Sequence, residues 1–136
     1  MKFYPVTEPK TGGRPVRENI DNTVAYNIHT QKNGVKTSVF TIGVNLVKKA
    51  RFIDGDYLTI AKSFCGNFGL ISRTNADDVH GRKLLANKSG KVRTVSCKYS
   101  KKMPYTDSLI VLADVQVTDD GIFFGWPKTH RPPGNE

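Results

Sequence analysis

The chain has 136 residues, with 21 Lys and Arg against 12 Asp and Glu, and therefore a formal net charge of +9. This length fits one domain that buries its own hydrophobic core, and the charge favours a polyanionic partner over an acidic small molecule. Because no apolar run approaches the roughly 20 residues of a spanning helix and no signal-peptide core follows Met1, we expect a cytoplasmic protein that binds no membrane.

Both ends of the chain are predicted to be flexible. Residues 1–22 contain several Pro and Gly residues and little hydrophobic periodicity, which is typical of an arm without regular structure. Residues 127–136 are similarly rich in Pro and polar residues and are expected to form a tail. A single β-rich domain is then expected over residues 23–126.

Alternation of apolar and polar residues, interrupted by turn signals such as Asn33-Gly34, predicts three β-hairpins. These hairpins join residues 24–28 to 35–42, residues 57–61 to 68–72, and residues 109–117 to 122–124. A short strand near residues 83–85 and a strand over residues 92–97 complete the pattern. In the second of these, Arg93 and Val95 share one face, so its inner side cannot be assigned from the sequence.

One short helix is predicted among the strands. Apolar residues recur at helical spacing near residues 44–52, which indicates about two helical turns, and Asp54-Gly55-Asp56 then ends them. The fold class is therefore expected to be mainly β, an α+β arrangement. In it, hairpins build an antiparallel sheet or a small barrel.

The sequence contains no motif that would indicate an enzyme, a cofactor or a metal. There is no phosphate-binding glycine loop, no nucleophile elbow and no zinc-protease motif, and Cys65 and Cys97 lack the spacing of a zinc site. Pairs of aspartates could in principle bind Mg²⁺ in a nuclease, but each pair lies at an apparent turn. We therefore expect no catalysis and no cofactor, and we expect both cysteines to be reduced thiols that are buried or half-buried.

The most informative stretch is basic and runs over residues 79–106. It contains eight Lys and Arg residues without one Asp or Glu: Arg82, Lys83, Lys88, Lys91, Arg93, Lys98, Lys101 and Lys102. Cations of this density could hold the phosphates of a nucleic acid, although a solvated face without a partner is the plain alternative. A second set of basic candidates lies on the short helix: Lys48, Lys49 and Arg51.

Aromatic residues lie in and just before the basic stretch, namely Phe64, Phe68, Tyr99 and Tyr105. Tyr99 and Tyr105 are the candidates for base stacking because their segment is too polar to be buried throughout. Four other rings occur in apolar patterns and are expected in the core: Phe40, Phe52, Phe123 and Phe124. Rings beside cations would suit single-stranded nucleic acid.

Two resemblances bear on function. In residues 39–61, a strand, a basic helix opened by Gly43-Val44-Asn45-Leu46 and an Asp-Gly-Asp turn resemble the core unit of AbrB-type swapped-hairpin transcription factors. That resemblance implies a dimer that binds double-stranded DNA. As a whole, the chain is similar to the Drc-type RNA polymerase cofactors of lytic bacteriophages. The shared features are the size, the basic β-rich body, the lack of catalytic motifs and the Asp-Gly-Asp-Tyr segment.

The second resemblance implies sequence-tolerant binding of single-stranded DNA in support of early phage transcription. A phage RNA polymerase would then be a further partner, and the host cytoplasm the location. A third hypothesis is a phage protein that binds a host enzyme, although the basic charge excludes mimicry of DNA. Because small β proteins with unpaired strand edges often associate, we also expect a homo-oligomer.

Overall fold

Short strands form two open antiparallel sheets that pack their inner sides together. The computed structural model describes residues 20–87 and 90–128. Within these residues the chain is mainly β, as predicted, with one helix of six residues. The sheets of the described chain do not close into the small barrel that the sequence allowed as an alternative. No described helix has the length and apolar character needed to cross a membrane.

The elements follow one another closely along the chain. In order they are β1 (Val24–Thr30), β2 (Lys36–Gly43), α1 (Val44–Lys49), β3 (Tyr57–Lys62), β4 (Phe68–Thr74), β5 (Arg82–Lys83), β6 (Leu85–Ala86), β7 (Val92–Lys98), β8 (Ile110–Val111), β9 (Gln116–Thr118) and β10 (Gly121–Gly125). A 3-10 turn at Ile20–Asn22 precedes β1 and packs against α1 and β2. Residues 1–19 of the predicted arm and residues 129–136 of the predicted tail lie outside the described residues.

Register decides which side chains enter the core. Sheet I has the strand order β6-β7-β2-β1-β8, and sheet II has the order β5-β3-β4-β10-β9. In sheet I, Tyr26 lies opposite Phe40, which lies opposite Val95, and in sheet II Ile71 lies opposite Ile122. All five are buried, so these sides of the sheets face each other. Because side chains alternate along a strand, the residues between them form two outer faces.

The chain passes from one sheet to the other three times, first through α1 between β2 and β3, and then at two corners. The fully buried Leu84 separates β5 of sheet II from β6 of sheet I. At the second corner the prediction of one strand over residues 109–117 is wrong, because β8 belongs to sheet I and β9 to sheet II. Asp114 lies between them with a positive φ of 56°, outside the strand region. The apolar run is long because it serves both sheets.

The helix is shorter than the sequence predicted. It ends at Lys49, after which the N–H of Arg51 donates to the Lys48 carbonyl (3.1 Å) and the N–H of Phe52 donates to the Val47 carbonyl (3.0 Å). This pair of bonds is a Schellman motif, which closes a helix and redirects the chain. Phe52 is buried, but it reaches the core from this turn. Its apolar character therefore extended the helical pattern past the real end.

The Tyr26 hydroxyl is a polar centre within the apolar core. It donates to the Pro104 carbonyl at 2.6 Å and shares a hydrogen bond with the Ser38 hydroxyl at 3.0 Å. Both bonds are buried, and the first fixes the loop after β7 to sheet I. Burial raises the pKa of Tyr26 to about 12, although the bond to Ser38 acts in the opposite direction.

We expect Tyr26→Phe to lower the free energy of unfolding at neutral pH by about 1–3 kcal/mol, because the buried Pro104 carbonyl loses its donor. The raised pKa also predicts an alkaline effect. Tyrosine in the unfolded chain ionises near pH 10, so this contribution to stability is complete below about pH 10 and is lost as the pH rises towards 12.

Denaturant unfolding of the wild type and of Tyr26→Phe, at pH 7 and in steps from about pH 9 to 12, measures both effects. The matched control is Tyr57→Phe, the same change on the outer face of sheet II. Equal unfolding free energies for all three chains at pH 7, with parallel alkaline profiles, would contradict the assigned role of Tyr26.

Candidate nucleic-acid interface

The fold divides the basic stretch between two sheets and a loop. Arg82 and Lys83 form β5 in sheet II, whereas Lys98 ends β7 in sheet I. Exposed positions before and after β7 carry Lys91, Lys101 and Lys102. Lys88 lies outside the described residues. These charges therefore lie on strands of both sheets and on loops instead of lining one strand.

Arg93, one of the predicted phosphate ligands, is engaged within the protein. It shares the inner side of β7 with Val95, at the margin of the core, and its side chain is only 16% exposed. The Arg93 guanidinium donates to the Asp54 carboxylate and to the Gly90 carbonyl (2.8 Å). The ambiguity in the strand pattern is thus resolved by an ion pair, since an inward-facing cation is costly without one.

Two further guanidinium groups also bind protein oxygens. Arg82 donates to the carbonyls of Val79 (3.1 Å) and Gly81 (2.9 Å). Arg73 pairs with Asp56 at 3.2 Å and donates to the carbonyl of residue 51. These arginines hold turns in place, so lysines are the better candidates for phosphate contacts.

The two predicted stacking tyrosines do meet in the structure. The rings of Tyr99 and Tyr105 are half-buried and edge to face, with centroids 6.3 Å apart. The ammonium of Lys36, which the sequence did not single out, lies 5.3 Å from the Tyr105 centroid. In this arrangement each ring already has an aromatic or cationic neighbour.

A second ring pair lies on the outer face of sheet II. Phe123 and Leu70 are opposite each other in the register, with Phe68 on the same side of β4. The rings of Phe68 and Phe123 are stacked, with centroids 5.0 Å apart and planes 28° apart. Phe68 is 38% exposed and Phe123 is half-buried. The prediction that Phe123 belongs to the core is therefore wrong.

The reason for this error is the strand period. Ile122, Phe123 and Phe124 are all apolar, and an apolar run conceals the alternation that places Ile122 and Phe124 inside. Period two alone, applied to β10, would have found the outward position of Phe123. We call the outer side of sheet II, with Tyr57, Phe68, Leu70 and Phe123, the aromatic face.

The hairpin between β3 and β4 adds an exposed ring beside this face. Phe64 at its tip is fully exposed. The turn is held by three bonds: the Ser63 N–H donates to the Phe68 carbonyl (2.9 Å), the Gly66 N–H donates to the Ser63 carbonyl (2.9 Å), and the Phe68 N–H donates to the Ser63 hydroxyl (3.1 Å). A ring on such a turn is presented to solvent in a defined place.

The same tip carries an exposed thiol. The Ser63 hydroxyl beside Cys65, at 3.2 Å, lowers the pKa of that thiol, whereas burial raises the pKa of the half-buried Cys97 thiol. Both cysteines are free, but the expectation that both are at least half-buried is wrong for Cys65. Thiol reagents should therefore modify Cys65 first, which provides a label beside Phe64.

Lysines lie at both ends of β3, the strand that leads to this tip. Lys83 lies opposite Tyr57 in the register and therefore on the aromatic face, and it is exposed. Lys62 is exposed at the other end, where its ammonium lies 5.4 Å from the centroid of the Trp126 ring. The register places Lys62 opposite Gly69 on the inner side of sheet II, so of these two lysines only Lys83 belongs to the aromatic face.

The predicted helical cations lie near an acidic turn. Lys48, Lys49 and Arg51 are exposed, and a cleft of about 340 Å³ is lined by Lys49, Arg51 and Asp119. Arg51 occupies the position after the helix cap with φ +61°, where glycine is the usual residue. This strained backbone conformation lowers the free energy of unfolding.

Comparison with known proteins leaves the chain unassigned: it matches no family model, no curated protein and no solved structure. Among the residues that the structure describes, no group of three or more His, Cys, Asp or Glu side chains is arranged to hold a metal ion. Function is therefore inferred from the surface itself.

We expect Arg51→Gly to raise the free energy of unfolding by about 0.5–1 kcal/mol, because glycine adopts the left-handed conformation without a Cβ clash. Lys48→Gly, inside the same helix, is the matched control and should lower it by about 1 kcal/mol. Denaturant unfolding measures both changes. If both variants lose stability equally, the strain assigned to residue 51 is absent.

Proposed function

We propose that this protein is a non-catalytic protein that binds single-stranded DNA largely independently of sequence. The bases of the bound strand stack on the aromatic face. The stacked pair of Phe68 and Phe123 on the solvent side of a sheet carries this proposal. Every base has a flat π-face, so exposed rings on a sheet bind single strands with little regard to sequence.

Packing alone is a weaker explanation for the rings. Contact between Phe68 and Phe123 stabilises two neighbouring strands by roughly 0.2–1 kcal/mol, as aromatic neighbours across a sheet commonly do. The same explanation does not extend to Phe64, which is fully exposed on a hydrogen-bonded turn and gains little from burial. Phe64 lies in the turn that leads into Phe68, and a ligand that covers the aromatic face would also account for a ring exposed there.

Charge supports the same class of ligand. The net charge of +9 attracts a polyanion, and Lys83 on the aromatic face could hold a phosphate beside the stacked bases. Lysines suit this purpose because they bind phosphate as mobile point charges without reading base edges. On the resemblance to Drc-type cofactors, such binding would support phage transcription with a phage RNA polymerase as partner.

The ring pairs can be distinguished by substitution. We expect the double change Phe68→Leu and Phe123→Leu to weaken binding of a mixed-sequence single strand about 10- to 100-fold, because stacking contributes about 1–3 kcal/mol per base. Leucine retains apolar bulk on the face but removes the flat ring. Tyr99→Leu is the matched control on the other ring pair and should change the affinity less than about twofold if the aromatic face is the site.

Fluorescence anisotropy of a labelled oligonucleotide measures the affinity, and circular dichroism confirms that each variant is folded. A fluorophore on Cys65 gives an independent signal, since DNA on the aromatic face should change its emission. Native double-leucine protein that binds with wild-type affinity would refute the assigned surface. A selective loss in Tyr99→Leu would instead favour the tyrosine pair.

Binding should also depend on salt and on strandedness. Four to six phosphate contacts predict that the logarithm of the affinity falls with the logarithm of salt concentration with a slope of roughly −3 to −4. The affinity for the same sequence as a duplex should be lower, since paired bases do not offer their faces. A flat salt titration, or equal binding of both forms, would count against the proposal.

A further inference from the structure

The outer face of sheet I differs from the aromatic face in chemistry. Its outward positions follow from the register and carry aliphatic, hydroxyl, amide and imidazole side chains: Ala25, Asn27, His29, Thr37, Val39, Thr41, Leu85, Val92, Thr94, Ser96 and Val111. Among the described strand residues of this face, Lys98 at the end of β7 is the only Lys, Arg, Asp or Glu. We call this surface the uncharged face.

Apolar side chains on and beside this face are open to solvent. Leu85 and Val111, in the two outermost strands, are 52% and 46% exposed, and Leu109 beside them is 61% exposed. A groove of about 200 Å³ lies at the end nearer the helix and is lined by Ile20, Thr23, Ala25, Thr41, Val92 and Leu109. In a chain of which 24% is charged, such a surface indicates a protein contact.

We propose that a second copy of this chain packs against the uncharged face, sheet I against sheet I, about a two-fold axis near Val39 and Thr41 of the central strand. An isologous contact of this kind places the same patch on both partners. The patch must therefore be compatible with an identical patch on the partner, and uncharged side chains meet this requirement because they do not repel one another.

The net charge of the chain favours this face as the contact between two copies. Two chains of net charge +9 repel each other, and the repulsion is weakest where no charged side chain enters the contact. The strand edges offer a poor alternative, because β6 and β8, the edge strands of sheet I, have only two residues each. An added strand would find few backbone groups to pair with there.

Area is consistent with a stable dimer. Five strands about 4.8 Å apart span about 20 Å, and the three long strands rise about 25 Å, so the face measures at most about 20 by 25 Å in projection because its edge strands have two residues each. The projecting side chains and the flanking Ile20 and Leu109 make the accessible area of that face larger than its projection. A standard protein interface takes about 800 Å² from each partner, which is of the same order.

The test is sedimentation equilibrium of the full chain without nucleic acid, at low and at high salt. We expect a monomer–dimer equilibrium that tightens as salt screens the repulsion, opposite to the salt effect on DNA binding. Val39→Lys should raise the dimer dissociation constant at least about 100-fold, because it places two like charges in the contact. Gln31→Lys adds the same charge at the exposed turn after β1 and should change the constant by less than about threefold.

Thr94→Lys is the second variant on the face, for the case that Val39→Lys does not fold as judged by circular dichroism. A chain that stays monomeric at all concentrations in both salts would overturn the proposal and leave the face to another occupant. A dimer that persists unchanged in the folded face variants would also overturn it, because the contact would then lie elsewhere. Since no DNA is present, neither result depends on the function proposed above.

Discussion

A column of aromatic rings across the two sheets determines how the rest of the domain is arranged. Tyr26 contacts Phe40, Phe40 contacts Phe124 of the opposite sheet, and Phe124 contacts Trp126, with centroids 4.9, 5.9 and 6.0 Å apart. Gly69 makes room for this column, since a Cβ there would lie 2.4 Å from the Phe124 ring. With Phe124 fixed inward, the strand period turns Phe123 outward, so core packing itself positions the aromatic face.

Local sequence patterns predicted the elements better than their assignment to faces and sheets. The three hairpins and the short helix follow from turn residues and periodicity, which act over a few neighbours. The outward ring of Phe123 and the division of residues 109–117 between two sheets depend on packing between distant strands. Arg93 was likewise ambiguous until Asp54, far away in sequence, provided its partner.

Basic residues were correctly recognised as abundant, but sequence density did not predict spatial grouping. A stretch of chain that turns a corner between sheets distributes its side chains over several surfaces, as residues 79–106 do. Both outer faces consequently carry few charges, and cations gather at strand ends and loops. One face presents rings and the other aliphatic and hydroxyl groups, so the two sheets offer chemically distinct surfaces.

The corners between the sheets also govern how the chain must fold. Because β8, which leads into the second corner, pairs with β1, residue 25 lies opposite residue 111, and most of the chain must be in place before sheet I gains its last strand. Contacts between residues so far apart in sequence carry a large loop-closure entropy, which places β proteins of this kind among the slow folders, on a scale of milliseconds to seconds. The corner at Leu84 adds a second dependence, since neither sheet can complete its edge without the other. Folding of the two sheets should therefore occur as a single cooperative transition.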